Sequence, residues 1–145
     1  VENIYYYKTE VNWTVARKGV LSAEGMKEIE IASPPEFNGE PNIWTPEHLF
    51  VASVNICLMT TFLAIADLSK LPFIEYSSTA IGKLEKVDGK YMISEIVLKP
   101  KIIIPEERHR DRCLRIIEKS ETNCLISNSI KTKVILEPEI KIKTY

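Results

Sequence analysis

The chain has 145 residues, 45% of them hydrophobic and 27% charged, with nineteen basic against twenty acidic side chains. That length and composition fit one soluble globular domain over residues 1–145, long enough to bury about two-thirds of its unfolded surface. A formal charge of −1 leaves no electrostatic footprint for nucleic acid or an anionic membrane surface. No unbroken apolar run approaches the roughly 18–20 residues of a membrane span.

Val1-Glu2-Asn3-Ile4-Tyr5-Tyr6-Tyr7 reads as the start of a strand, with no signal-peptide pattern, so the expected location is the cytoplasm. Aromatic and β-branched residues continue to residue 15, alternating across Val11, Trp13 and Val15. Arg17-Lys18-Gly19 predicts a turn into a second strand near residues 20–24, and Gly25 a turn before a short strand at Glu28–Ile31. Residues 33–43 are loop, rich in proline. Thr45-Pro46-Glu47 is a helix start, with threonine at the cap, proline at the first helical position and an acid in the first turn. The helix should run to about Ser69 and stop before Pro72. It is apolar nearly all round, with no charge between Leu49 and Asp67, so it should be buried on most faces. One domain with few helices has little material to surround it, and a second copy of the chain is the expected cover.

Phe73–Val87 and Lys90–Ile104 read as two long strands joined by the hairpin dipeptide Asp88-Gly89. Residues 106–120 form an amphipathic helix with His109, Cys113, Ile116 and Ile117 on its inner face. A short helical turn follows near Leu125–Ser129. The last strand spans Thr132–Ile142, with Pro138 marking an edge or a bulge. The fold class is α+β, a mainly antiparallel sheet wrapped on a long buried central helix.

Two of the three cysteines stand out. Cys57 lies mid-helix and Cys124 at the end of the second helical pattern. Three cysteines without close spacing argue against a secreted disulfide framework, so a bridge between two of them would be transient. Burial on an apolar helix raises a thiol pKa unless a cation is supplied, and the helix dipole is three turns away. Arg17 is the candidate cation. Glu47 precedes Cys57 by ten residues, about 15 Å along one straight helix. The two therefore cannot share a site unless the helix breaks or Glu47 meets Arg17 and Cys57 of a partner subunit. Each residue also has a plain reading: Arg17 as a surface turn residue, Glu47 as first-turn dipole stabilisation, Cys57 and Cys124 as core filler, and Cys113 as structural. With only His48 and His109, and no C-x-x-C or H-x-x-x-H spacing, no metal site is expected. No phosphate loop or nucleophile elbow is present.

The segment from Thr45-Pro46-Glu47-His48-Leu49-Phe50 to Cys57 resembles the T-N-P-E-x-L…C segment of the OsmC/Ohr family (osmotically induced protein C and organic hydroperoxide resistance protein). Asn123-Cys124-Leu125-Ile126-Ser127 is similar to the family's x-C-P-x-S signature, and Arg17-Lys18-Gly19 to its arginine turn. The resemblance covers nearly the whole chain. It implies an obligate, intertwined homodimer and a thiol peroxidase that reduces organic hydroperoxides. By the same resemblance Cys57 is the peroxidatic thiolate, Arg17 lowers its pKa, Glu47 orients Arg17 and Cys124 resolves. A dithiol reductant, lipoyl-type in some members, reopens the disulfide, and no metal, haem or flavin is required. Leu125 stands where proline is usual, and Leu58-Met59-Thr60 departs from the better-known branches. Two rivals remain at this stage: a dimeric binding module for an apolar ligand without peroxidase turnover, and a thiol- or metal-linked regulator.

Overall fold

The computed structural model describes residues 3–144, so the first two residues of the expected N-terminal strand lie outside it. The chain forms two compact units, residues 1–49 and 50–145.

The first unit carries a three-stranded antiparallel sheet of β1 (Glu10–Val15), β2 (Lys18–Ser22) and β3 (Ile29–Ala32), in the order β1-β2-β3. Residues 3–9 are not strand, although their composition favours it. The pairing of β1 with β2 ends at Glu10–Ser22, and the chain then turns through Gly25 at φ 76°. Nothing in that register is left to pair with residues 3–9. The turn between β1 and β2 is Ala16-Arg17, one residue earlier than expected, with Ala16 in the left-handed region at φ 52° and its carbonyl accepting from the Trp13 indole at 3.0 Å. The loop that follows β3 contains a 3-10 turn at Pro35–Phe37.

Helix α1 runs Pro46–Leu68. Thr45 is almost fully buried, and its hydroxyl accepts the His48 amide at 3.0 Å, the capping bond expected from the sequence. Thr45→Ala should lower stability by about 1 kcal/mol, read as a shift in the urea midpoint. At the other end Lys70 turns left-handed at φ 54°, and the Leu71 amide reaches back to the Ala66 carbonyl at 2.9 Å. That is a Schellman stop, reinforced by Pro72.

In the second unit β4 (Glu75–Val87) and β5 (Lys90–Ile104) form the predicted hairpin, with Asp88 and Gly89 both at positive φ. On β5 the residues Ile96, Leu98, Pro100, Ile102 and Ile104 are fully buried, every second position and therefore one face. Val54, Leu58, Phe62 and Ala66 of α1 pack in that core with Cys113, Ile116 and Ile117 of α2 (Arg110–Thr122), which is entered through a 3-10 turn at Glu107–His109. A Cβ on Gly82 would come within 2.4 Å of Val51, so glycine lets α1 approach β4 closely.

The expected last strand is two strands, β6 (Lys133–Leu136) and β7 (Glu139–Ile142), both parallel to β5. Leu98 pairs with Leu136 and Lys101 with Glu139, so the register continues unbroken across the gap. It places Pro138 opposite Pro100, where neither residue has an N–H to donate. The sheet is mainly antiparallel, with a parallel edge added by the C-terminal segment.

One expectation about α1 needs correction, and its burial within the single chain is partial. Its buried residues are Val54, Cys57, Leu58, Phe62 and Ala66, a single stripe, while Ile56, Met59 and Leu63 are exposed in the single chain. The helix is also long and apolar enough to cross a membrane by length and composition, with a mean hydropathy of 2.1 over 18 residues. Counting only unbroken apolar runs missed this, because Ser53, Asn55, Thr60 and Thr61 interrupt the run without adding charge. One stripe of the helix forms the core of the second unit.

Candidate active site

Cys57 projects from the buried stripe of α1 and is 8% exposed. Cys124 follows α2, whose last turn and exit are pinned by backbone bonds from Asn123 to Lys119 (3.0 Å), from Cys124 to Glu121 (3.1 Å) and from Asn128 to Cys124 (3.0 Å). These bonds curl residues 124–128 so that the Cys124 thiol meets Cys57, and all three cysteines are reduced.

Burial pushes the Cys57 thiol up. Against this act the Cys124 thiol, the Ile126 amide, the Thr61 hydroxyl (3.9 Å from Sγ) and the Leu125 amide, all hydrogen-bonding to the sulfur. Their sum outweighs burial and leaves Cys57 below the ordinary thiol range. Cys124 moves the other way. Burial raises it, as does donating its proton to Cys57, while Ser127 opposes through its side chain and amide. The pair is therefore polarised, with Cys57 the stronger acid and Cys124 the weaker. Cys113 is pushed up to about 11 by burial, with Arg110 acting slightly against it, which suits a structural residue.

The sequence reading assigned activation of Cys57 to Arg17 alone. The amides of Leu125 and Ile126 were invisible to that reasoning, because backbone groups leave no residue signature. A hint was present in Leu125, since proline at that position would have no N–H to offer. Thr61, one helical turn after Cys57, was also missed. Removing its hydroxyl in Thr61→Val should raise the Cys57 pKa and slow alkylation by iodoacetamide several-fold at neutral pH, with little change above pH 9, where the thiolate forms regardless. An unchanged pH–rate profile would count against the hydrogen bond.

Arg17 and Glu47 belong to the first unit. Arg17 is exposed at the β1–β2 turn and lines an open cleft of about 440 Å³ with Lys18, Asn38, Gly39 and Glu40. Among the described residues Arg17 makes no ion pair, and the neighbouring carboxylate of Glu40 is taken by Lys18 at 2.9 Å. Glu47 is in the first turn of α1, and its Oε1 is buried without a hydrogen-bond partner. Within one chain, then, Glu47 does not hold Arg17. Among the described residues no three His, Cys, Asp or Glu side chains gather as a metal site would require.

A sheet face crossed by two helices, with one thiol from each helical segment held together as an acid and a base, defines a small α+β paired-thiol protein. The chain belongs to the OsmC family: the model of that family, OsmC-like protein, matches residues 39–139. It is 22% identical to the uncharacterized protein YmaD of Bacillus subtilis, over 96% of this chain and 95% of that one. An OsmC-like protein of unknown function from Vibrio cholerae shares the fold with a TM-score of 0.86 and 23% identity, covering 93% of this chain and 99% of the other. An organic hydroperoxide resistance protein from Elizabethkingia anophelis has a TM-score of 0.77 and 20% identity, covering 99% of this chain and 100% of the other.

Proposed function

We propose that the protein is a thiol-dependent peroxidase that reduces organic hydroperoxides to alcohols in the cytoplasm, as part of oxidative-stress defence. The observation that carries this reading is the Cys57–Cys124 contact, in which Cys57 is the stronger acid and Cys124 the weaker. The Cys57 thiolate attacks the distal peroxide oxygen, the O–O bond breaks, and the alkoxide leaves and takes a proton to become the alcohol. Cys57 is then a sulfenic acid. Cys124 displaces its hydroxyl as water and forms the disulfide, which a dithiol reductant of lipoyl type returns to two thiols.

Arg17 supplies a cation to the peroxide and to Cys57, and Glu47 orients it, across a homodimer. Support for the homodimer comes from surface the single chain leaves uncovered. Val11, Trp13 and Val15 form an apolar row on β1, with Trp13 76% exposed, and Ile56, Met59 and Leu63 form another on α1. The partnerless buried oxygen of Glu47 calls for a donor of the kind Arg17 of a second copy would bring.

The test is mass spectrometry after one equivalent of cumene hydroperoxide. Loss of two mass units with a Cys57–Cys124 crosslink is expected; sulfenylation at Cys113 instead would overturn the assignment. The other reading, a dimeric module binding an apolar ligand, draws on a largely apolar cleft of about 340 Å³ lined by Phe50, Met92, Ile93 and Ile130. Both thiols remaining free after peroxide treatment would favour it.

A further inference from the structure

Three buried oxygens in the second unit lack hydrogen-bond partners: Tyr76 Oη, Glu121 Oε2 and Ser127 Oγ. Native interiors rarely strand three polar atoms, and when such atoms cluster they mark a working site or a bound solvent molecule. Glu121 and Ser127 flank Cys124 in the chain, and Tyr76 lies near Glu121. Glu121, Cys124 and Ser127 follow one another at intervals of three along the curled exit of α2, held by the Cys124 amide bonding the Glu121 carbonyl at 3.1 Å. Ser127 Oγ lies against both the Glu121 carboxyl and the Cys124 thiol without completing a well-formed bond to either. Tyr76 approaches from β4, its ring tilted by 32° on Phe62 at 5.2 Å and its hydroxyl near Ser78 and Glu121.

We propose that Glu121, acting through Ser127, takes the proton from Cys124 when that thiol closes the disulfide with Cys57. The proposal addresses a step the polarised pair leaves difficult. Burial keeps Cys124 a weak acid, yet Cys124 must become the nucleophile. Burial raises the proton affinity of Glu121, with the Ser127 bond opposing, so it is a better match to a thiol than an exposed carboxylate. The ionisable group facing it from another element is Tyr76 of β4, and Cys124 is reached through Ser127.

In the step, the Cys124 S–H proton passes to Ser127 as the Ser127 proton passes to the Glu121 carboxylate. The freed electron pair forms the S–S bond, and the bond from Cys57 sulfur to its leaving group breaks with its own pair. Cys124 is oxidised; the two electrons reduce Cys57 when the leaving group is the hydroxide of a sulfenic acid, and reduce the departing sulfur when it is thiopyridone. When the leaving group is the hydroxide of a sulfenic acid, it takes the proton back from Glu121 and departs as water.

Although the sulfenic-acid case rests on the peroxidase reading, the proton transfer can be tested without peroxide. Treating the full protein with 4,4′-dithiodipyridine makes a mixed disulfide on Cys57 and releases one thiopyridone. Attack by Cys124 then releases a second, and the two phases are timed separately. Glu121→Gln and Ser127→Ala should each slow the second phase about tenfold or more at neutral pH and leave the first within twofold. Glu121→Asp should recover part of the loss. In the parent the second phase should hold its rate as pH falls until Glu121 is protonated, whereas in Glu121→Gln it should fall steadily with thiol ionisation. Closure at the parent rate in both Glu121→Gln and Ser127→Ala, or equal slowing of both phases, overturns the inference. A parent that closes its disulfide here but ignores cumene hydroperoxide would instead sink the peroxidase reading alone.

Discussion

Cys57→Ser should abolish turnover of cumene hydroperoxide, lowering the rate on the order of a thousandfold or more. The donors around Sγ favour the anion of a thiol, whose ordinary pKa is already near 8.5. The same donors cannot ionise a serine hydroxyl at neutral pH. The substitution removes little volume, and the carbonyl of Cys57 still accepts from Thr60 at 3.1 Å, so the fold should survive and the loss can be read as chemistry. Peroxide consumption at the parent rate by a folded Cys57→Ser protein would refute the assignment. Cys113 is the internal control: with its thiol pushed up to about 11, it should remain unmodified in the parent.

Gly39→Ala should destabilise the first unit by about 2–4 kcal/mol, seen as a lower urea midpoint. A Cβ there would stand 1.5 Å from the Ser33 carbonyl oxygen and 3.0 Å from that of Pro34. Neither contact can be relieved by a rotamer, because both atoms are backbone. The loop would have to open, breaking the bonds from the Gly39 amide to Pro34 (3.0 Å) and from the Asn38 amide to Pro35 (3.0 Å). The same loop walls the cleft that Arg17 lines. A fall in peroxide reactivity should therefore accompany the loss of stability. A midpoint within experimental error of the parent would show that the loop packs differently.

The candidate site was only partly legible in the sequence. Cys57, Cys124, Arg17 and Glu47 were nameable as residue types in a family pattern, and the two thiols do meet. The reason Cys57 is the stronger acid of the pair lay in the Cys124 thiol beside it, two main-chain amides and a threonine hydroxyl. Glu121 falls one residue beyond the helix expected over 106–120, and Tyr76 lies within the strand expected over Phe73–Val87. Neither is distinguishable by type from an exposed glutamate or a packed tyrosine until neighbours from distant segments bury them. Gly39 likewise looked like one loop glycine among five, since its constraint is a carbonyl six residues earlier.

Local chemistry written in the sequence determined the elements. Thr45-Pro46 set the start of α1, Lys70 and Pro72 its stop, Asp88-Gly89 the hairpin, and alternation from Ile96 to Ile104 the buried face of β5, because caps, turns and periodicity act over a few residues. Pairing was decided only in three dimensions. Residues 3–9 have strand composition but no partner in register, and the C-terminal segment splits where Pro138 falls opposite Pro100. Cys57 becomes the stronger acid because the turn after α2 brings its amides to the sulfur. Hydrogen-bond partners and desolvation are properties of position in the folded chain, and the tertiary structure alone assigns them.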